Sequence, residues 1–308
     1  MTTNAIQSSH IYSTYFAPRG RSRIYTLGMQ IAQLYLSPFD QIIGFIGEAG
    51  SGKSVLIKGM FPGIELTNDD DGVNVRPLPL LEQEYETGFF TPHTYHLDIR
   101  FETGFHQLSE LADAVRLAVR RGKRIIIEHF DLIYPLLGVN ANLLIGVGEQ
   151  IVITRPNLFG PLPQELCDIV YPSLAYRLMA HSAEDLCEYA MTQEQMLACS
   201  HGDIRHGFVL EFNEHQPDID IPTLEARVNE LIRQDLPIDY YDESHIPLGG
   251  AQHYCTGPRT HVRSTGRIIG FRLLDHFIYD HFHKTYMLVG CVGDDSEENI
   301  RKLETIHG

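Results

Sequence analysis

The chain has 308 residues, 43% of them hydrophobic and 21% charged, which excludes disorder and collagen-like repeats and makes two domains the prior. A net charge of −16 excludes binding of nucleic acid through bulk positive charge. No run of about 18 apolar residues occurs and the first residues lack a basic stretch followed by an apolar one, so no membrane partner and a cytoplasmic location are expected.

In chain order, Gln41–Ile46 is a short β-branched run that predicts a strand, and Ser54–Met60 has helical character ended by Gly59 and Pro62. Between them, Gly47-Glu48-Ala49-Gly50-Ser51-Gly52-Lys53-Ser54 matches G-x-x-x-x-G-K-[ST] at every fixed position and in the strand–loop–helix context the motif needs. Glycines there let successive backbone N–H groups and a helix N-terminus face a phosphate. Lys53 neutralises the outer phosphate oxygens and the Ser54 hydroxyl ligates Mg²⁺, so ATP with Mg²⁺ is the expected cofactor.

Thr94–Arg100 predicts a further strand, and Leu108, Leu111, Ala112, Val115 and Val119 share one face of a helix that Gly122 ends. Arg124–Glu128 follows, an apolar strand ending in a carboxylate, which suits either an acid that holds the Mg²⁺ shell or positions a nucleophile, or an ordinary solvated strand end. After a last strand, Gln150–Thr154, Arg155 is either a charge-stabilising arginine for transferring phosphate or a plain surface residue. Strands spaced by helices predict an α/β domain with a mostly parallel, doubly covered sheet over residues 1–165.

This layout resembles uridine-kinase-type P-loop phosphotransferases, through Gly47–Ser54, the acidic turn 68–71 after a second strand at 63–67, and Ile125–Glu128. The resemblance implies that one of Asp69, Asp70 or Asp71 is the general base and Glu128 the strand-end acid. The glycine that usually follows that glutamate is His129 here.

Chemistry changes near residue 165: all five cysteines (Cys167, Cys187, Cys199, Cys255, Cys291) and 11 of the 16 histidines lie beyond it. An odd cysteine count in a chain expected to be cytoplasmic argues for buried thiols or metal ligands rather than disulfides. From Pro172 a helix is predicted that carries His181 and Asp185 four apart, hence on one face. Far along the chain come His253, Cys255 and His261. Imidazole, thiolate and carboxylate are zinc donors, so His181, Asp185, His253, Cys255 and His261 are the candidate ligands; the alternative is a polar pocket of hydrogen-bonded histidines.

Cys255-Thr-Gly-Pro258 with Thr260-His-Val-Arg-Ser-Thr-Gly-Arg-Ile268, and the segment Pro222–Pro237, resemble the second additional domain of alanyl- and threonyl-tRNA synthetases and of free-standing alanyl-tRNA editing proteins. His181–Asp185 lies where that family has its H-x-x-x-H motif. Over residues 170–290 the resemblance implies an α+β domain with an antiparallel sheet that binds zinc and hydrolyses mischarged aminoacyl-tRNA. Two departures are present: Asp185 stands for the second histidine, and Cys255 to His261 is two residues longer than C-x-x-x-H, with His253 available as a replacement ligand. Arg259, Arg263, Arg267 and Arg272 suit phosphates of a tRNA 3′ end, or form a solvated face.

The expectation is therefore a nucleotide-binding P-loop domain (1–165) joined to a tRNA-synthetase editing-like metal-binding domain (166–308). Alternatives are a kinase of a small hydroxylated molecule such as a nucleoside, with the second domain only binding substrate, and a non-catalytic nucleotide-gated binding module.

Overall fold

The computed structural model describes residues 12–64, 66, 94–213 and 215–307. They fall into two compact units, Met1–Tyr15 with Ser22–Pro172, and Phe16–Arg21 with Ser173–Gly308. Asp69, Asp70 and Asp71 lie outside the described residues, as does most of the strand expected at 63–67.

The first unit is built on a six-stranded sheet. Its strands are β1 (Tyr12–Phe16), β2 (Ile42–Ile46), β3 (Thr94–Asp98), β4 (Arg124–Glu128), β5 (Leu143–Val147) and β6 (Gln150–Thr154), in spatial order β1-β6-β5-β2-β4-β3. β2 pairs parallel with both β4 and β5, β3 pairs parallel with β4, and only the β5–β6 hairpin among these pairs is antiparallel. β2 and β5 are buried along their whole length, which is why they read as unbroken apolar runs rather than alternating ones. The helices are α1 (Arg21–Tyr35), α2 (Lys53–Met60), the short α3 (Ile99–Glu102), α4 (Leu108–Arg120) and α5 (Phe130–Leu137). α4 buries Leu111, Ala112 and Val115, with Leu108 and Val119 packed beside them. The strand expected over 94–100 stops at Asp98, because that side chain accepts from the Phe101 N–H at 3.1 Å and caps α3.

Gly59 does not end α2, as its composition suggested, but lies inside it. A Cβ on Gly59 would stand 2.2 Å from the Tyr25 carbonyl oxygen, and one on Gly28 2.5 Å from that of Leu56, so α1 and α2 cross backbone to backbone on two glycines. Glycine to alanine within a helix ordinarily gains about 1 kcal/mol. Gly59→Ala is expected to reverse that sign and destabilise by about 1–3 kcal/mol in urea denaturation, because the crossing has no room for a methyl group.

In the second unit β7 (Cys199–Ile204) and β8 (Gly207–Asn213) form a hairpin, and β8 pairs with β13 (Thr285–Cys291). β11 (Arg272–Leu273) and β12 (Ile278–Asp280) also pair with β13, and β9 (His245–Leu248) with β10 (Ala251–Tyr254) makes a separate ribbon. All of these pairings are antiparallel. Around them lie α7 (Gln193–Ala198), α8 (Ile221–Arg233) and α9 (Ser296–His307). α8 buries Leu224 and Val228 and packs Leu231 and Ile232 beside them, the face its spacing predicted. The helix α6 (Pro163–Ala190) starts earlier than expected and runs through Pro172, which forfeits one backbone donor without ending it.

Candidate functional site

The loop Gly47–Ser54 joins β2 to α2. Gly52, at φ 92° and ψ 12°, holds a left-handed turn that a side chain resists, and this turn starts α2 at Lys53. The Lys53 ammonium donates to the carbonyls of Gly47 at 3.0 Å and Glu48 at 2.9 Å, and stands 3.7 Å from Glu128 Oε2. Ser54 Oγ donates to Glu128 Oε1 at 3.2 Å. Strand register brings Glu128 beside both Phe45 of the strand before the loop and Asp98 of β3, so two carboxylates meet at the carboxyl ends of adjacent parallel strands.

Glu128 is buried, which favours its neutral form, but the hydrogen bond and charge of His96 at 3.1 Å and the Lys53 ammonium outweigh burial and hold its carboxyl below the usual range. Lys53 itself is pushed down, chiefly by burial. Asp98, Glu128 and His129 bring one donor atom each to within 4.8 Å of one another, all three residues buried. His129 occupies the position where the kinase resemblance has glycine, and its backbone is indeed left-handed, at φ 56°. Such a conformation costs a non-glycine residue of the order of 1–2 kcal/mol, so this imidazole is held there against its own preference. Its Nδ1 has no hydrogen-bond partner among the described residues, and burial with the charge of Lys53 lowers its pKa to about 4, so it is neutral at pH 7.

Glu102, at the end of α3, is raised to about 7 by burial and by the charge of Asp98. The folded carboxyl therefore keeps its proton in a window where an unfolded one, with a pKa near 4.5, has released it. The native state binds more protons there, and stability falls as pH rises through that window. Glu102→Gln is expected to flatten this part of the pH–stability curve, read by thermal melting across pH 4.5–7.

Arg155 corrects the expectation of a phosphate contact. Its guanidinium takes Asp40 bidentately, at 2.6 and 2.8 Å, and donates to the Asn142 carbonyl at 3.1 Å. Asp40 precedes β2 and Asn142 precedes β5, whereas the loop follows β2. Arg155 thus ties down the opposite edge of the sheet, because β6 runs antiparallel and carries its last residue away from the Gly47–Ser54 loop.

In the second unit, Asp185, Cys255 and His261 converge. His261 Nε2 lies 2.7 Å from Asp185 Oδ2 and 3.8 Å from Cys255 Sγ. The centre also holds Arg19, which is 2% exposed. Its guanidinium donates to Glu184 and Asp185 and, at 3.0 Å, to Cys255 Sγ. Burial would push the Cys255 thiol up, but hydrogen bonding and charge from His261 and Arg19 lower it to about 7. His181 is not part of this group. Thr260 Oγ1 gives its proton to the Gly257 carbonyl at 2.7 Å, so His181 Nδ1 must be the donor in its 3.1 Å contact with that hydroxyl. Its Nε2 stands 3.7 Å from Asp203.

The donor chemistry of Asp185, Cys255 and His261 suits zinc, but the cation that two of the three already serve is Arg19. The set as folded fits a guanidinium better than a metal held by the five candidate ligands, since His181 and His253 lie outside it. His253 belongs to a neighbouring group with Asp185 and Glu188. Of the four arginines, Arg259 stacks over Tyr240 at 4.6 Å and lies 3.6 Å from Glu243, while Arg272 lies 3.6 Å from Glu225. Several histidines without ligand spacing sit in local pairs with aspartate, namely His206–Asp295, His245–Asp242 and His283–Asp280, at 2.7–2.9 Å.

Asp98 and Arg19 stand in the two candidate sites but were not singled out by motif reading. Asp98 carried a usable signal, since Thr94–Asp98 ends in a carboxylate as Arg124–Glu128 does. Arg19 carried none. Among the described residues no helix is long and apolar enough to cross a membrane. No protein-family model matches the chain, and no curated protein matches it.

Proposed function

We propose that the first unit binds ATP with Mg²⁺ and transfers or hydrolyses its terminal phosphoryl group, and that the second unit recognises the charged end of a tRNA as the editing-like domains it resembles do. The observation that carries the reading is the meeting of Lys53 and Ser54 with Glu128 at the carboxyl end of β2 and β4. In this arrangement Lys53 leaves its two loop carbonyls for the phosphate oxygens. Ser54 and Glu128, with Asp98 beside them, would hold Mg²⁺, which when bound would neutralise charge developing on the transferred group. The neutral His129 and the ionised Glu128 then differ in role: the carboxylate orients the attacking group or the metal shell, and the imidazole accepts a hydrogen bond or a proton.

For the second unit we propose recognition rather than deacylation, since Arg19 engages Asp185 and Cys255, two of the donors a hydrolytic zinc needs. A second reading, a kinase of a small hydroxylated molecule, is favoured by Asp98 standing beside Glu128 as a further carboxylate for an acceptor hydroxyl.

ATP turnover by the full chain, measured alone, with mischarged alanyl- or threonyl-type tRNA, and with a set of nucleosides, separates the readings. Stimulation by charged but not uncharged tRNA supports the first; label transfer to a nucleoside supports the second. Tight ATP binding with turnover below about 0.01 s⁻¹ under every condition replaces both with a nucleotide-gated binding module. Glu128→Gln is expected to lower turnover by about 10²-fold while leaving ATP affinity within a few-fold, because it removes a charge that acts on the transferring group more than on bound nucleotide.

A further inference from the structure

The chain is acidic overall, yet its cations are not evenly spread. Between Asp113 and Glu128 it carries five, Arg116, Arg120, Arg121, Lys123 and Arg124, and no carboxylate. They occupy the end of α4 and the link into β4, at the end of the parallel strands opposite the Gly47–Ser54 loop. Three further loops meet them there. Arg124 donates to the carbonyls of Ser37 and Asp40 at 2.9 and 2.8 Å, and Gln41 Nε2 to that of Val119 at 2.8 Å. Arg155 donates to the Asn142 carbonyl and Asn140 Nδ2 to that of Pro161, both at 3.1 Å. The loops 36–41, 138–142 and 155–162 thus share one end of the first unit with the cations.

Each of these loops presents apolar side chains to solvent, namely Phe39, Val139, and Leu158 with Phe159. Leu158 and Phe159 are 100% and 98% exposed, so neither gains anything from the fold that displays it. A closed turn holds them out. Asn157 and Gly160 exchange N–H to carbonyl bonds at 2.9 and 3.2 Å, and Asn157 Oδ1 accepts from the Phe159 N–H at 2.8 Å. Gly160, at φ 95°, supplies the left-handed residue this turn needs. The carboxylates close to these loops in sequence are already engaged. Asp40 is held by Arg155, Asp113 pairs with Arg116 at 2.6 Å, and Glu165 accepts from the Leu162 N–H.

We propose that this end of the first unit docks on an anionic phospholipid surface. Leu158 and Phe159 enter the boundary between headgroups and acyl chains, and the cations of residues 120–124 face the lipid phosphates and carboxylates. Charge and shape together favour a bilayer over other partners. RNA phosphates would match the cations but offer Leu158 nothing, and a protein interface buries a contiguous apolar core, whereas here separate tips stand among polar loops. A bilayer asks for no matching shape, only that backbone N–H groups entering it be paired, as those of Asn157, Phe159 and Gly160 are. The expectation of no membrane partner rested on the lack of a spanning run, which a surface contact does not need. Although the net charge is −16, at physiological salt charges beyond about 8 Å are largely screened, so the local cations decide. The inference stands apart from the nucleotide and tRNA readings.

The chain contains no tryptophan, so Phe159→Trp in the full chain places a single fluorophore at the tip. With vesicles of phosphatidylcholine holding about one third phosphatidylserine, its emission is expected to shift to the blue, and the protein to co-sediment about tenfold more tightly than with phosphatidylcholine alone. Phe105→Trp, an exposed position between α3 and α4, is expected to show no shift. Arg120→Gln with Arg121→Gln, and separately Leu158→Ser with Phe159→Ser, should each weaken co-sedimentation of the parent chain by about tenfold or more. All four side chains are exposed, so melting temperatures should stay within a few degrees of the parent. Absence of co-sedimentation at about 1 mM lipid overturns the proposal. So does vesicle binding that either pair of changes leaves intact, or an equal emission shift at Phe105→Trp. If Leu158→Ser with Phe159→Ser instead abolishes self-association or tRNA binding while lipid binding is absent, the face belongs to a second copy or to RNA, and the proposal is overturned as well.

Discussion

Lys53→Met is expected to lower ATP turnover by about 10²–10³-fold and to weaken nucleotide binding, with the fold retained. The side chain is nearly enclosed, and its ammonium rests on the carbonyls of Gly47 and Glu48, which a methionine leaves without this donor, and stands near Glu128, which loses its neighbouring cation. Burial already lowers the Lys53 pKa, so the native state carries this charge at some expense. That is the pattern of a group kept for a ligand rather than for stability. Glu128 keeps His96 as its partner in the variant, but with the ammonium gone its pKa moves upward from its depressed value. A depressed carboxylate stabilises above its unfolded pKa and loses that contribution as pH falls; in Lys53→Met the loss is expected to begin at higher pH than in the parent chain. Turnover and ATP affinity, measured beside an acid unfolding curve, check both parts. An unchanged turnover would falsify the phosphate-loop reading.

Residues whose placement is set by near neighbours were legible in the sequence. The loop Gly47–Ser54 needs only its own glycines and the helix that follows, and the strands at 42–46, 124–128 and 150–154 announce themselves because burial on both faces demands continuous apolar runs. Glu128 was legible for the same reason, as the first polar residue after such a run. Other features depend on partners that spacing does not reveal. Gly59 looks like a helix stop until α1 supplies Gly28 against it. Arg155 looks free to reach a phosphate until Asp40, 115 residues earlier, captures it. Asp185, Cys255 and His261 do lie together, yet His181, in register with Asp185 on the same helix, turns to Thr260 and Asp203. Four-residue spacing fixes a shared helical face but not the rotation of each ring.

Arg19→Met is expected to destabilise the second unit by about 3–5 kcal/mol at neutral pH, a larger loss than that expected of Gly59→Ala in the first. The guanidinium is 165 residues from Glu184 in sequence and is fully enclosed with Glu184 and Asp185, so its loss leaves Glu184 without its cation away from water and Asp185 with His261 alone. Surface ion pairs in the same unit, such as Arg233–Glu230, give no such effect because solvent replaces either partner. Two signatures distinguish the loss of a cation from the loss of packing. The Cys255 thiol, held at about 7 by His261 and Arg19, should move up toward its ordinary value of 9, read from thiolate absorbance against pH. Zinc should then recover stability in Arg19→Met but hardly affect the same group in the parent chain, because only in the variant do Asp185, Cys255 and His261 lack a central cation. If the guanidinium merely fills space, Arg19→Met should instead melt like the parent, leave the thiol at about 7, and gain nothing at this group from zinc.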